Sequence, residues 1–271
     1  MRTNGASARP SRTLAAVFQD AATVLRQDLS EYGYIGLCGA FGAAILATIL
    51  RYIDTPISNT LIVPVIAIIA VGTLATCAAA LERTQDGLQP DSGQSAAEAM
   101  VRAPWLLARI VPPVLAMGTA VYVTSAYGGD LGRWISLAIG ALLVFSAIYV
   151  ALPLPMYVAA LFARESSPRD AAAHTLAIMA GSRAFVLAAL GIALGPAEIA
   201  TAIALLARFG TMTTALFAFA FVISMPLVAA MMSLIHARLA PWIGATPRRQ
   251  AQSVAPQQGS NVATRLDRHV R

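Results

Sequence analysis

Lysine is missing from this chain. All nineteen basic residues are arginine, which excludes a P-loop lysine, a Schiff-base or pyridoxal-phosphate lysine and a lysine general base. Charge of either sign is scarce: Asp, Glu, Lys and Arg make up 12% of the chain, about half the roughly 25% usual in soluble domains. Cysteine occurs twice, as Cys38 and Cys77, each inside an apolar segment. A buried thiol there behaves as a small hydrophobe, so neither a disulfide nor a metal role is expected. The three histidines, His174, His236 and His269, are scattered and have no Cys or carboxylate at ligand spacing, which argues against a metal centre. H-E-x-x-H, G-x-S-x-G, C-x-x-C, G-x-G-x-x-G and EF-hand spacings are all absent. No cofactor, metal or catalytic residue is therefore expected.

What fills the chain is hydrophobicity. Fifty-eight per cent of the 271 residues are hydrophobic, and the mean hydropathy is +0.68. Windows 32–50, 55–81, 110–129, 134–163 and 209–235 contain no Asp, Glu, Lys or Arg, and 184–207 contains only Glu198. A bilayer core about 30 Å thick needs roughly 20 apolar residues in a helix. Six spans fit, at about 34–52, 60–81, 110–127, 134–162, 184–207 and 213–238. The fourth is long enough to tilt or to bend at Pro153 and Pro155.

The organising stretch runs from Ala151 to Gly191. An apolar segment ends at Phe162, an arginine-bearing turn follows, a short helix opens, and a new apolar segment begins near Ala184. Ser167-Pro-Arg-Asp170 reads as a capping box with proline at the first helical position, where its missing N–H is harmless. Ser95-Ala-Ala-Glu98 reads as a second capping box. Upstream, Leu14, Val17, Phe18, Ala21, Leu25 and Leu29 recur every three or four residues. That pattern predicts an amphipathic helix, lying either in the headgroup plane or docked on the other helices.

Asp20-Ala-Ala, Glu98-Ala-Met and Asp170-Ala-Ala recur 78 and 72 residues apart. The expectation is three pseudo-repeats, about 13–81, 95–163 and 167–240, each an interfacial helix followed by a two-span hairpin. They would form an all-α membrane domain over 13–243. The polar tails 1–12 and 244–271 read as disordered. Residues 1–31 have no compact apolar run ending in a cleavage site, so no removable signal peptide is expected.

Arginine sets the orientation. Sixteen of the nineteen fall on one side of the six-span arrangement; only Arg51, Arg133 and Arg208 fall on the other. The positive-inside rule then places both termini in the cytoplasm, in a bacterial-type inner membrane. Trp105 and Trp242 become inner-boundary anchors, Trp134 an outer one, and Arg109 snorkels to anionic headgroups. The net charge of +6 is explained by this topology and implies no nucleic-acid partner. The bilayer is the expected partner, together with a second copy or another membrane protein.

One acidic residue, Glu198, lies well inside a predicted span, and an ionisable group near the bilayer centre is a functional suspect. Gly195-Pro196 precedes it, and a helix broken there would leave Glu198 in the first turn of a half-helix, where its charge suits the dipole. The reading with less chemistry keeps Glu198 as a cap near the outer surface, and it is preferred. Small residues on the first span (Gly36, Gly39, Gly42, Ala43) and fifth (Gly191, Gly195) suit close helix packing.

The run from Pro153 to Leu190, with Ser167, Pro168, Asp170 and Ala171, resembles the six-span bacterial membrane proteins grouped with the membrane domain of glycerophosphoryl diester phosphodiesterases. The resemblance implies the same membrane fold. The soluble phosphodiesterase domain of some relatives has no counterpart here, and hydrolysis does not carry over. The expected function is that of a non-enzymatic scaffold, lipid-organising or accessory membrane component. The alternatives are a small transporter or permease subunit built on a broken fifth span at Glu198, and a membrane-embedded enzyme acting on lipids.

Overall fold

The computed structural model describes residues 13–53, 55–126, 132–163, 167–207 and 210–243. Both tails, and Arg164 and Arg208, lie outside them, as do the side chains of Arg133 and Trp242. The described residues form eight helices: α1 (Leu14–Gln27), α2 (Leu29–Ile53), α3 (Pro56–Gln85), α4 (Ser92–Ala126), α5 (Gly132–Ala151), α6 (Leu154–Phe162), α7 (Pro168–Ala207) and α8 (Gly210–Ile243). Six segments are long and apolar enough to cross a membrane: Leu29–Ile53, Thr60–Gln85, Ser92–Thr124, Trp134–Phe162, Pro168–Ala200 and Ala215–Leu239. The chain is an all-α, multi-pass membrane protein.

Two boundaries differ from expectation. The short helix expected at 95 has no break from the third span; α4 runs through both for 35 residues, about 52 Å at the helical rise. Its start is capped by Asp91, whose Oδ1 accepts from the amides of Gly93 and Gln94 at 2.8 and 3.1 Å. Asp91 thus reaches the orphan amides one turn ahead of Ser95, and Ser95 is buried inside the helix. In α7 the departure from helical backbone is at Ser182 (φ −141°, ψ 27°), in a Gly181-Ser182 pair of the kind that kinks helices, beside the junction expected near Ala184. The expected break at Gly195-Pro196 does not form: α7 is helical through both residues. Proline there removes one amide and frees the carbonyl of Ile192, a loss that membrane helices absorb.

Two expectations hold. The Ser167 box forms, with the Asp170 amide donating to Ser167 Oγ at 3.1 Å and the Ser167 hydroxyl donating to Asp170 Oδ2 at 2.6 Å. The fourth span bends at Leu152–Pro153, dividing α5 from α6.

Helices in lipid gain nothing by hiding apolar surface from an equally apolar solvent, so close contact between small residues holds them. The core is accordingly rich in alanine and lies toward one end of the bundle. It is built where the C-terminal part of α3 (Ala75, Cys77, Ala79, Ala80), all of α6, and the stretch Val228–Met232 of α8 meet. Cys77, Val158 and Met232 are fully buried. Four residues further along each helix, Leu81, Phe162 and His236 are buried too. The α1 helix docks on α8 through Val17 and Ala21. The salt bridge Asp20–Arg238 pins it there, and Arg83–Glu98 (3.3 Å) makes the corresponding link between α3 and α4.

The periphery is loose. Among the described helices, α5 packs extensively on α4 alone, along Ser136, Gly140 and Ala147. Its other sides carry exposed Ile135, Leu142, Phe145 and Ile148. On α2, a Cβ at Gly36 would stand 2.8 Å from the Val222 carbonyl oxygen, and one at Gly39 would overlap Thr73 Oγ1. These glycines mark close packing. Gly42, Gly191 and Gly195 have nothing within 4 Å and do not.

Candidate functional site

Glu198 is exposed on α7. The buried line of that helix after its kink is Val186, Ala189, Ala193 and Ala200. At 3.6 residues per turn Glu198 projects about 150° away from that line. With the backbone helical through Gly195 and Pro196, it occupies no half-helix terminus. Trp105 and Trp134 are both exposed, at 54% and 78%, as side chains facing lipid or headgroups are.

Arginine and aromatic side chains meet along the bent fourth span. The guanidinium of Arg102 lies 4.5 Å from the Phe162 ring centroid, that of Arg109 lies 5.2 Å from Tyr157, and that of Arg183 lies 5.0 Å from Tyr149. Arg102 and Arg109 come from α4, two turns apart on one side of α5–α6; Arg183 comes from α7, one residue past the kink at Ser182. Cation–π contacts of this kind contribute about 0.5–1 kcal/mol at exposed sites. Their main effect here is to hold the arginine heads in place. Arg102 is further tied to the Leu161 carbonyl at 2.9 Å and to Glu82 at 3.8 Å. Arg109 and Arg183 are exposed, and among the described residues neither forms a salt bridge with a carboxylate.

The second feature is a cavity of about 480 Å³ between the core ends of α3, α6 and α8. Each helix contributes one line of side chains. Ala78, Ala159 and Ser233 line it four residues before Glu82, Ala163 and Ala237. Gln85 and Asp86 complete the α3 side, Phe162 and His236 the other two.

The end of α3 is fixed by a Schellman turn. Gly87 adopts a left-handed φ of 74°, the Leu88 amide donates to the Arg83 carbonyl at 3.0 Å, and the Gly87 amide donates to the Thr84 carbonyl at 3.1 Å. Glycine accommodates that backbone without a Cβ clash. The turn holds Glu82 and Asp86 one helical turn apart, on the same side of α3.

Behind the cavity the His236 ring lies 5.9 Å from that of His174 on α7. His236 is 6% exposed, and both its Nε2 and the Nδ1 of His174 are buried without a hydrogen-bond partner. No group of three or more His, Cys, Asp or Glu among the described residues is arranged to hold a metal ion.

Sequence reasoning set His174 and His236 aside as scattered and read Glu82–Gly93 as a polar turn. The structure brings His236, Glu82 and Asp86 to one cavity. A signal for it exists: Glu82 and Asp86 are spaced i, i+4, and Ser233 and His236 are spaced i, i+3. Each pair begins within five residues of the fully buried Cys77 or Met232.

No family model, curated protein or solved structure matches this chain.

Proposed function

We propose that this protein is a non-enzymatic component of a bacterial-type cytoplasmic membrane that gathers anionic lipid headgroups at the inner leaflet. In this reading both termini are cytoplasmic and the arginine-rich side faces inward. The observation that carries it is the pair Arg109 and Arg183. Both are exposed, both are held over tyrosine rings of one bent span, and neither is neutralised by a described carboxylate. Two guanidiniums fixed this way are suited to bidentate recognition of phosphate.

The reading includes three repeats of an interfacial helix and a hairpin, and it retains the resemblance to the membrane domain grouped with glycerophosphoryl diester phosphodiesterases, without the hydrolase. The parallel between Arg83–Glu98 and Asp20–Arg238, and the common register of Cys77, Val158 and Met232, support the repeats. The transporter alternative relied on a broken helix at Glu198 and loses that support.

The test is native mass spectrometry of the protein extracted from mixed phosphatidylglycerol and phosphatidylcholine vesicles. The wild type is expected to retain phosphatidylglycerol preferentially, and R109A/R183A to lose the preference. Equal retention of both lipids by the wild type would sink the proposal. Proton-coupled solute uptake by the purified protein, abolished in Glu198→Gln, would favour the transporter instead.

A further inference from the structure

We propose that a groove between α3 and α4 holds a phospholipid by its hydrocarbon chain. Two stripes at helical spacing build it. Leu61, Pro64, Val65 and Ile68 come from α3, and Val111, Val114, Leu115 and Gly118 from α4, which packs along it. Pro64 and Val114 are buried and form the floor; Leu61, Ile68, Val111 and Leu115 are exposed and form the walls. Gly118 makes the depression. The atoms nearest to where its Cβ would stand, Pro64 Cγ and Thr60 Cγ2, are 3.7 and 3.9 Å away.

Length and width select the occupant. Thr60 opens the span Thr60–Gln85, and Tyr122 lies two residues before the end of the span Ser92–Thr124. The groove therefore begins at one membrane boundary, at the end of α3 opposite Glu82. It reaches Ile68 on α3 and Val111 on α4, about 12 and 16 Å away at the helical rise. One leaflet of a hydrocarbon core about 30 Å thick is about 15 Å deep. The volume is about 530 Å³, which over that length leaves a mean section of about 30–45 Å². A helix 10–12 Å across needs roughly 80–110 Å², so a neighbouring span does not fit inside. An alkyl chain packed about 4–4.5 Å from its neighbours needs far less.

The lining is apolar apart from Thr60, Thr119 and Tyr122, and these three lie toward the boundary end, where tyrosine meets headgroups. Bulk water does not reach the remainder, and an unfilled void forfeits dispersion along every wall. A chain seated here touches a floor and two walls, whereas one on the outer face of α5 touches a single convex surface. In the orientation proposed above, this lipid belongs to the outer leaflet, away from the inner-leaflet arginines.

The experiment uses the full chain in phosphatidylcholine nanodiscs doped with a phosphatidylcholine that carries a diazirine in one acyl chain. The neutral headgroup keeps the result separate from the phosphatidylglycerol preference. After a chase with unlabelled lipid, photolysis and peptide mapping should place the surviving adducts on 61–68 and 111–122. The exposed face of α5 around Leu142, Phe145 and Ile148 exchanges its lipid and should lose its label. Gly118→Leu fills the groove from a position where the first added carbon makes only ordinary contact. It should remain folded by circular dichroism and lose the adducts on 61–68 and 111–122. Equal labelling of the groove and the α5 face in the wild type overturns the proposal, as do adducts that persist in folded Gly118→Leu. So do disulfide-linked dimers of Leu115→Cys in a Cys38→Ser background, which would assign the groove to a second copy of the chain.

Discussion

Gly36 and Gly42 stand less than two turns apart on α2 and answer the same substitution differently. At Gly36 a methyl group would stand 2.8 Å from the carbonyl oxygen and 3.0 Å from the Cα of Val222 on α8. Both are backbone atoms, so no rotamer change relieves the overlap. Reaching ordinary contact at 3.4 Å requires α2 and α8 to part locally by about 0.6 Å, in a region where dispersion and close approach supply the adhesion. Overpacking of this kind costs about 1–3 kcal/mol.

At Gly42 nothing lies within 4 Å. Alanine there adds helix propensity of up to about 1 kcal/mol and no clash. Gly39 is intermediate: its Cβ would meet the side chain of Thr73, whose hydroxyl donates to the Ile69 carbonyl at 2.9 Å. Gly39→Ala should destabilise, and the double variant G39A/T73A should recover most of the loss. The assay is reversible unfolding by sodium dodecyl sulfate in mixed micelles, followed by tryptophan fluorescence. Gly36→Ala should lower the midpoint, Gly42→Ala should leave it unchanged or raise it, and no single change at Val222 should rescue Gly36→Ala. Equal midpoints for the two variants would refute the α2–α8 packing described here.

Other outcomes follow from the same geometry. Gly87→Ala forces a Cβ into a left-handed backbone and should cost about 1–2 kcal/mol, read as a lower unfolding midpoint; an unchanged midpoint would mean that the Schellman turn contributes nothing. Asp20→Asn removes the partner of Arg238 but not the Val17 and Ala21 contacts. With Asp20 half-exposed, it should cost less than about 1 kcal/mol and raise amide exchange within 14–27 only. Cys77 is buried and Cys38 exposed. In detergent, a small apolar maleimide should modify one thiol per chain, and peptide mapping should place it at Cys38 until unfolding exposes Cys77. Pro153→Ala should straighten the junction of α5 and α6, detectable as a longer spin-label distance from 145 to 160; an unchanged distance would show that packing, not proline, sets the bend.

The sequence alone determined the fold class and the number of spans, because partition into lipid is decided locally: about twenty apolar residues without charge insert wherever the chain places them. Local rules also fixed the Ser167 cap and the bend at Pro153. The same rules placed the junction before the fifth span near Ala184, next to the kink at Ser182, but misjudged Gly195-Pro196, where a freed carbonyl is tolerated by the surroundings. Tertiary structure alone decided which small residues are contacts: Gly36 and Gly42 look alike in one dimension and differ only in what faces them. It also decided the cavity. Glu82, Asp86, Ser233 and His236 span some 150 positions of chain, and nothing in local periodicity says that the ends of α3 and α8 converge. That convergence follows from how alanine-lined helices approach one another in three dimensions, a property of pairs of surfaces that no single stretch of sequence encodes.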